Sequence, residues 1–225
     1  NADELFHEAQ KRRICLAPVM NLAAIDADPH VNSRTFFVDV EHPRTGKTRH
    51  LASATLTNSG RAPVRRAAPL LGQHNNEIAA LFKDSTSKRP TSNPRAGNRP
   101  LPLAGIRVAD LSWAWAGPFC TLNLAHLGAE VIRLESASRS DIYRRYMINP
   151  PEMEAGLNTS GVFNQWSQGK KSVAVNLRAP EGIEVVKSIV AQSDVVVQNF
   201  GTGVLDRLGL GYDTLKSIKP DIILA

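Results

Sequence analysis

The chain has 225 residues, a formal net charge of +6 and 42% hydrophobic residues, which suits one large or two small soluble domains. It contains no apolar run near the roughly 18 residues of a membrane-spanning helix, and its N-terminus lacks the basic-then-apolar order of a secretion signal. The positive charge suits a partner that carries phosphates. Cys15 and Cys120 have apolar sequence neighbours and are predicted to be buried thiols, as expected in a reducing cytoplasm.

Residues 1–84 mix helical and strand patterns. The run 35–52 predicts a hairpin, because two β-prone stretches flank a Pro-Arg-Thr-Gly turn. Pro29 is expected to break the helical pattern around it. In chain order the predicted elements are a helix at 3–13, a strand at 14–19, a helical turn at 24–34, the hairpin at 35–52 and a closing helix at 69–82.

Residues 85–100 are rich in Ser, Thr, Pro, Asn, Lys and Arg and show no hydrophobic periodicity. This composition predicts a disordered linker. Because the segment carries much of the positive charge, a nucleic-acid-binding arm is the alternative interpretation. We expect no nucleic-acid partner.

Residues 101–225 alternate between strand and helix patterns, which predicts an α/β fold with an open parallel, Rossmann-like sheet and helices on both faces. Gly117 and Pro118 are expected to open the first helix and Gly128 to end it. The helix at 179–193 is expected to present Val185, Val186, Ile189 and Val190 on one face. The predicted strands are 105–112, 129–135, 172–177, 194–200 and 221–225, and two short helices are predicted at 204–210 and 213–219.

Several common catalytic signatures are absent from the sequence. The turn after the first strand reads SWAWAGP, so the glycine-rich dinucleotide fingerprint is missing, and there is no phosphate-binding loop of the Walker type. The histidines are scattered, and we expect no metal site. What remains is a binding pattern rather than a catalytic one.

Ligands of such sheets collect at the carboxyl ends of the strands. Trp113 and Trp115 lie at one of these ends, where they either stack on an adenine or pack as core aromatics. The cations Arg178, Arg207, Lys170 and Lys171 either meet phosphates or form solvated surface charge. The residues expected at the strand ends are 112–116, 135–136, 176–178 and 199–201.

The segment 101–225 closely resembles the N-terminal part of the family III CoA-transferases, the CaiB/BaiF type that includes formyl-CoA transferase and carnitine CoA-transferase. Residues 1–84 resemble the C-terminal part of the same family, through ADPHVNSRTFFVDVEHPRTG and APLLGQHNNEI. The resemblance of the later segment is carried by LAGIRVADLSWAWAGPFCTLNLAHLGAEVIRLE, GKKSVAVNLRAPEG and SDVVVQNFGTGVLDRLGLGYDTLKSIKPDIILA.

This order implies the C-terminal part of a first CoA-transferase module at 1–84, the linker at 85–100 and the N-terminal part of a second module at 101–225. The chain begins with Asn, and its last predicted strand runs to Ala225. We therefore expect a fragment that spans the junction of two tandem modules. A circularly permuted or misassembled gene is the alternative.

The resemblance implies transfer of CoA from an acyl-CoA to a carboxylic acid through an aspartyl intermediate. The family's aspartate is expected beyond Ala225, so no catalytic residue is assigned and the chain alone is expected to be inactive. Asp110 and Asp194 are predicted to be structural. A 2-methylacyl-CoA racemase and a non-catalytic CoA-binding or dimer-forming segment are the alternatives. The intact protein is expected to form an interlocked homodimer.

The CoA-binding positions of the family carry over to this sequence. Two departures are expected to matter: formyl-CoA transferase has glutamine where Trp115 stands, which changes substrate contacts, and arginine where Ser136 stands, which removes a phosphate contact or leaves it to another residue. The implied CoA-binding residues are Trp115, Ala116, Asn176, Leu177, Arg178, Asn199, Phe200, Gly201 and Arg207.

Overall fold

The computed structural model describes residues 1–57, 60–83, 101–145 and 156–225. The predicted linker at 85–100 lies outside these residues. The helices are α1 (Ala2–Lys11), α2 (Leu22–Ala27), α3 (Pro29–Ser33), α4 (Asn75–Lys83), α5 (Ala116–His126), α6 (Ile142–Arg145), α7 (Gly161–Trp166), α8 (Pro180–Ala191), α9 (Val204–Arg207) and α10 (Tyr212–Ile218). The strands are β1 (Phe37–His42), β2 (Gly46–Leu51), β3 (Leu56–Thr57), β4 (Gly60–Arg61), β5 (Arg107–Asp110), β6 (Glu130–Glu135), β7 (Lys171–Ala174), β8 (Val195–Val197) and β9 (Ile223–Leu224).

The predicted parallel sheet is confirmed. Five strands pair in the order β7-β6-β5-β8-β9, and every pair is parallel. Central strand β5 is buried along its whole length, with Val108 opposite Val131 of β6 and Val195 of β8. Helices cover both faces of such a sheet, and β5 and β6 are accordingly buried almost throughout, including the charged residues Asp110, Arg133 and Glu135.

Helix α8 packs on the sheet through Val186, Ile189 and Val190, which belong to the main core. Val185 was predicted on the same face, but it is 40% exposed. The helical period explains this, because successive residues are rotated by about 100°, so a residue next to the buried stripe lies at its margin. Helix α5 ends at His126, and Gly128, two residues further on, has a φ of +111° and provides the expected left-handed cap.

The N-terminal segment forms the predicted hairpin, with His42 opposite Gly46 at the turn. Pro29 begins α3 and separates it from α2, as expected. The strand predicted at 14–19 is wrong, because these residues are outside regular structure and Val19 is fully exposed. A strand needs a pairing partner, and no strand lies beside this segment in the described part of the chain.

Both cysteines are exposed, which corrects the prediction that they are buried. Cys15 lies in the irregular segment after α1. Cys120 lies on α5, whose buried residues include Gly117, Thr121 and Leu122, so the cysteine points away from the sheet. Apolar sequence neighbours therefore did not determine burial here.

Residues 65–83 contact the sheet although they precede it by a long stretch of chain. The N–H of Gly169 donates to the carbonyl of Arg66 at 2.9 Å, and the N–H of His74 donates to the carbonyl of Ser172 at 2.9 Å. Ile78 of α4 is 1% exposed and belongs to the same core cluster as the sheet residues. Helix α4 thus packs beside edge strand β7.

Candidate functional site

A cavity of about 540 Å³ lies at the carboxyl ends of β5, β6, β7 and β8. The loops that follow parallel strands meet at one edge of the sheet, which is where ligands of this architecture bind. The volume falls within the roughly 300–1,000 Å³ typical of small-molecule sites. The lining residues are Trp113, Ser136, Ser138, Arg139, Asn176, Leu177, Arg178, Phe200, Gly201, Val204 and Leu208.

The structure brings part of the predicted CoA-binding set together in this cavity. Asn176, Leu177, Arg178, Phe200 and Gly201 line it. The remaining predicted residues lie outside the lining; these are Trp115, Ala116, Asn199 and Arg207.

Asn199 joins the loop after β8 to the loop after β5. Its amide nitrogen donates to the carbonyl of Trp113 at 2.7 Å, and its amide oxygen accepts from the N–H of Trp113 at 2.7 Å. Next to this pair, Ala114 has a φ of 61°, a left-handed conformation that costs a non-glycine residue roughly 1–2 kcal/mol. Its N–H donates to Asp141 at 3.0 Å. These bonds hold the loop in a conformation that places Trp113 in the cavity wall.

The cavity wall combines aromatic rings and cations. The rings of Trp113 and Phe200 meet edge to face, with centroids 6.4 Å apart. The guanidinium of Arg139 lies over the indole of Trp113, 5.5 Å from the ring centroid. Arg139 and Arg178 are exposed, and no described carboxylate lies within ion-pair distance of either. Such a wall suits a nucleotide, because the base can stack on a planar ring and the phosphates can pair with the cations.

Trp115 lies in a different aromatic cluster. It is 59% exposed and stacks on Trp166 at 5.9 Å between ring centroids. Phe119 meets Trp166 edge to face at 5.3 Å. Ala116, the first residue of α5, is also exposed. This cluster faces solvent outside the cavity, so Trp115 offers an apolar surface where the resembled transferase has a polar glutamine.

Arg207 lies on α9, the short helix that borders the cavity through Val204 and Leu208. Its side chain is exposed and lies beside Gly203, where a Cβ atom would come within 3.3 Å of the guanidinium. The structure therefore places the arginine next to the loop that leads into the helix rather than in the cavity wall.

Lys170 and Lys171 were candidates for phosphate-binding cations. Both form ion pairs with carboxylates of the protein. Lys170 is fully buried and pairs with Asp110 at 3.1 Å, and it also donates to Thr121 at 2.6 Å. Lys171 pairs with Glu77 and Glu130. Neither lysine is available to a ligand in the cavity.

Asp110 stands at the end of β5 and is fully buried, which suits the structural role predicted for it. Burial acts to raise the pKa of its carboxyl, but Lys170, Arg133 and the hydroxyls of Ser112 and Thr121 together hold that pKa below its ordinary value. For Lys170 burial outweighs its partner and lowers the pKa of the ammonium group to about 8. The pair anchors both the loop after β5 and helix α5, because Ser112 of the loop and Thr121 of the helix donate hydrogen bonds to Asp110.

A second buried network joins the sheet to the N-terminal segment. Arg144 donates two hydrogen bonds to Glu135, at 2.6 and 2.7 Å, and one to the carbonyl of Pro69 at 3.1 Å. Ser172 donates to the same carboxylate at 2.7 Å.

Asp194, the other carboxylate predicted to be structural, accepts from the N–H of Arg107 at 2.7 Å.

Four residues of the cavity wall were not predicted from the sequence. Ser138 and Arg139 belong to the loop after β6, in which the sequence predicts only Glu135 and Ser136 at the strand end. Their signal was present, because a loop at the carboxyl end of a central strand belongs to the binding edge as a whole. Val204 and Leu208 had no such signal, since an apolar residue of a short helix usually packs in the core.

The described residues contain no group of three or more His, Cys, Asp or Glu side chains arranged to hold a metal ion. Among the described helices, none combines the length and the apolar character that crossing a membrane requires.

Curated relatives of the chain are named for CoA transfer. An acyl-CoA transferase of Fusarium pseudograminearum is 34% identical over 178 residues, which cover 78% of this chain and 36% of that protein. The succinyl-CoA:glutarate CoA-transferase of Mus musculus is 42% identical over 122 residues, covering 54% of this chain and 27% of the relative. The chain therefore spans about a third of the length of these relatives.

A solved structure from Mycobacterium tuberculosis is similar in fold, with 35% identity and a TM-score of 0.51 over 56% of this chain and 34% of that one. The model of CoA-transferase family III matches residues 1–75 and 103–225. Both matched segments belong to the folded part that contains the cavity, because Arg66 and His74 hydrogen-bond to residues at the start of β7. The chain belongs to CoA-transferase family III.

Proposed function

We propose that the chain binds coenzyme A in the cavity at the carboxyl edge of the sheet. The observation that carries this proposal is the convergence there of Asn176, Arg178 and Phe200, which the family resemblance independently implies as CoA contacts. In this arrangement Trp113 and Phe200 supply a surface for the adenine, and Arg178 faces the phosphates. Arg207, on the short helix that borders the cavity, is the further cation that the resemblance implies.

For the whole protein we propose transfer of CoA from an acyl-CoA to a carboxylic acid. The names of the mouse and fungal relatives support this reaction class. The aspartate that would attack the thioester and carry the acyl group and then CoA is proposed to lie outside residues 1–225. The residues of this chain would hold the adenine nucleotide and orient the thioester arm. An interlocked homodimer and a cytoplasmic location stay predictions.

We further propose that residues 1–84 and 101–225 come from consecutive modules of one protein. The alignment to the Fusarium relative is longer than the stretch 101–225, so it extends into the N-terminal segment. A relative that aligns in this order supports the segment order as that of an intact protein over a misassembled gene, and a circularly permuted module is the alternative. The packing of α4 beside β7 shows that the two segments fit against each other within this chain.

Isothermal titration of the chain with CoA tests the binding proposal. Arg178→Ala should weaken binding about tenfold, because a hydrogen bond to a charged group contributes more than a neutral one. Arg12→Ala removes the same charge from an exposed position directly after α1 and should leave the affinity unchanged. Failure of the unaltered chain to bind millimolar CoA, or equal affinities for the two variants, would refute the site.

The reaction is tested on the complete protein with an acyl-CoA and a free carboxylic acid. A transferase forms the acceptor's CoA thioester, which chromatography detects. A racemase instead exchanges the α-proton of a 2-methylacyl-CoA with deuterium from D₂O and forms no new thioester. Binding of CoA without either reaction would leave the non-catalytic interpretation.

A further inference from the structure

Arg139 projects from an anchored segment rather than from a loose loop. The two residues that follow it, Ser140 and Asp141, are 4% and 3% exposed. Asp141 accepts hydrogen bonds from the N–H of Ala114 and from the buried guanidinium of Arg133. The backbone that carries Arg139 is therefore fixed to the loop after β5, and the side chain enters the cavity from a defined position.

The surroundings of Arg139 leave its charge available. Its guanidinium lies over the Trp113 indole at 5.5 Å, a contact that orients the planar group without neutralising it. In the described part of the chain no carboxylate forms an ion pair with it. Three other arginines of the sheet segment are instead paired with protein carboxylates; these are Arg107, Arg133 and Arg144. A cation held in place but unpaired, in a cavity wall, is arranged for an anionic ligand.

Arg139 also lies in the loop that begins at Ser136, and both residues line the cavity. Serine carries no charge, so Ser136 cannot supply the phosphate contact that the arginine of the resembled transferase provides. Arg139 brings a guanidinium into the same cavity from three positions further along the loop. Together with Arg178 it gives the cavity two cations, and CoA carries two phosphate groups on its adenosine, a 3′-phosphate and a 5′-diphosphate.

We propose that Arg139 binds a phosphate of the adenosine end of CoA and thereby supplies the cation that Ser136 lacks, with Trp113 holding the guanidinium in its binding orientation. This inference rests on the proposed function, since it names a further ligand-binding residue of the same cavity. It assigns Trp113 a positioning role through the cation–π contact.

The test measures the affinity of the unaltered chain and of Arg139→Ala for CoA and for dephospho-CoA by titration, and for pantetheine by ligand-observed NMR. Arg139→Ala should weaken CoA binding about tenfold and change pantetheine binding less than twofold, because pantetheine has no phosphate. Arg139→Lys, which keeps the charge but loses the planar group, should fall between the two. If Arg139→Ala weakens dephospho-CoA less than CoA, the phosphate is the 3′-phosphate; an equal loss assigns the 5′-diphosphate.

Equal weakening of CoA and pantetheine by Arg139→Ala, or no change in either, would overturn the assignment of Arg139. Failure of the unaltered chain to bind any of the three probes would instead overturn the proposed function. Circular dichroism and urea unfolding of the variant complete the test. Because Arg139 is exposed, its substitution should leave the stability unchanged, and a variant with altered stability is replaced in the titrations by Arg139→Gln.

Discussion

Replacing Ile78 with alanine tests whether α4 belongs to the core of the sheet. The side chain is 1% exposed and lies among apolar residues of the sheet and α8. The substitution removes three carbon groups, each contributing about 0.8 kcal/mol when buried, and it leaves a cavity that adds to the loss. We expect the free energy of unfolding to fall by about 3 kcal/mol, within the roughly 2–5 kcal/mol observed for such changes.

Urea unfolding followed by circular dichroism measures this loss as a lower midpoint with an unchanged slope. Ile14→Ala is the matched control, because it makes the same chemical change at a residue that is 53% exposed. The control should change the stability by less than about 0.5 kcal/mol. A loss at Ile78 no larger than the loss at Ile14 would refute the packing of α4 against β7.

Three further predictions concern the sheet and the cavity. Asp110→Asn should destabilise the chain at pH 7 by about 3–5 kcal/mol in urea unfolding, because it leaves the buried ammonium of Lys170 without its counter-charge; a loss below 1 kcal/mol would contradict the pairing. The folded-state pKa of Lys170 is about 8 and its ordinary value is 10.5, so the unfolded chain binds more protons between these pH values and this group makes stability rise with pH there. The double variant Asp110→Asn/Lys170→Met lacks the titrating pair and should lack this rise, and parallel pH profiles would count against the shift. Gly182→Ala should lower both stability and CoA affinity, because the added Cβ overlaps the carbonyl of Asn176, whereas Gly201→Ala meets no atom within 4 Å and should leave stability unchanged.

The parallel sheet was predictable because its signal is local. Apolar runs such as Val195–Val197 are separated by helical patterns, and this alternation allows few architectures. The hairpin at 35–52 was predictable for the same reason, since its turn residues lie between its strands. The strand at 14–19 had the right composition but no partner. Pairing depends on distant residues, which a local pattern does not contain.

The sequence by itself determined the family, the order of the strands along the chain and the edge of the sheet at which Asn176, Arg178 and Phe200 meet. Only the tertiary structure decided which cations remain free for a ligand. In the sequence Lys170 and Arg178 are equally good candidates for a phosphate-binding cation. In the structure Lys170 is buried and paired with Asp110, whereas Arg178 lines the cavity. The same holds for Arg139, whose position over Trp113 joins two loops from different strands. A side chain's availability depends on burial and on partners far away in sequence, and these exist only once the chain has folded.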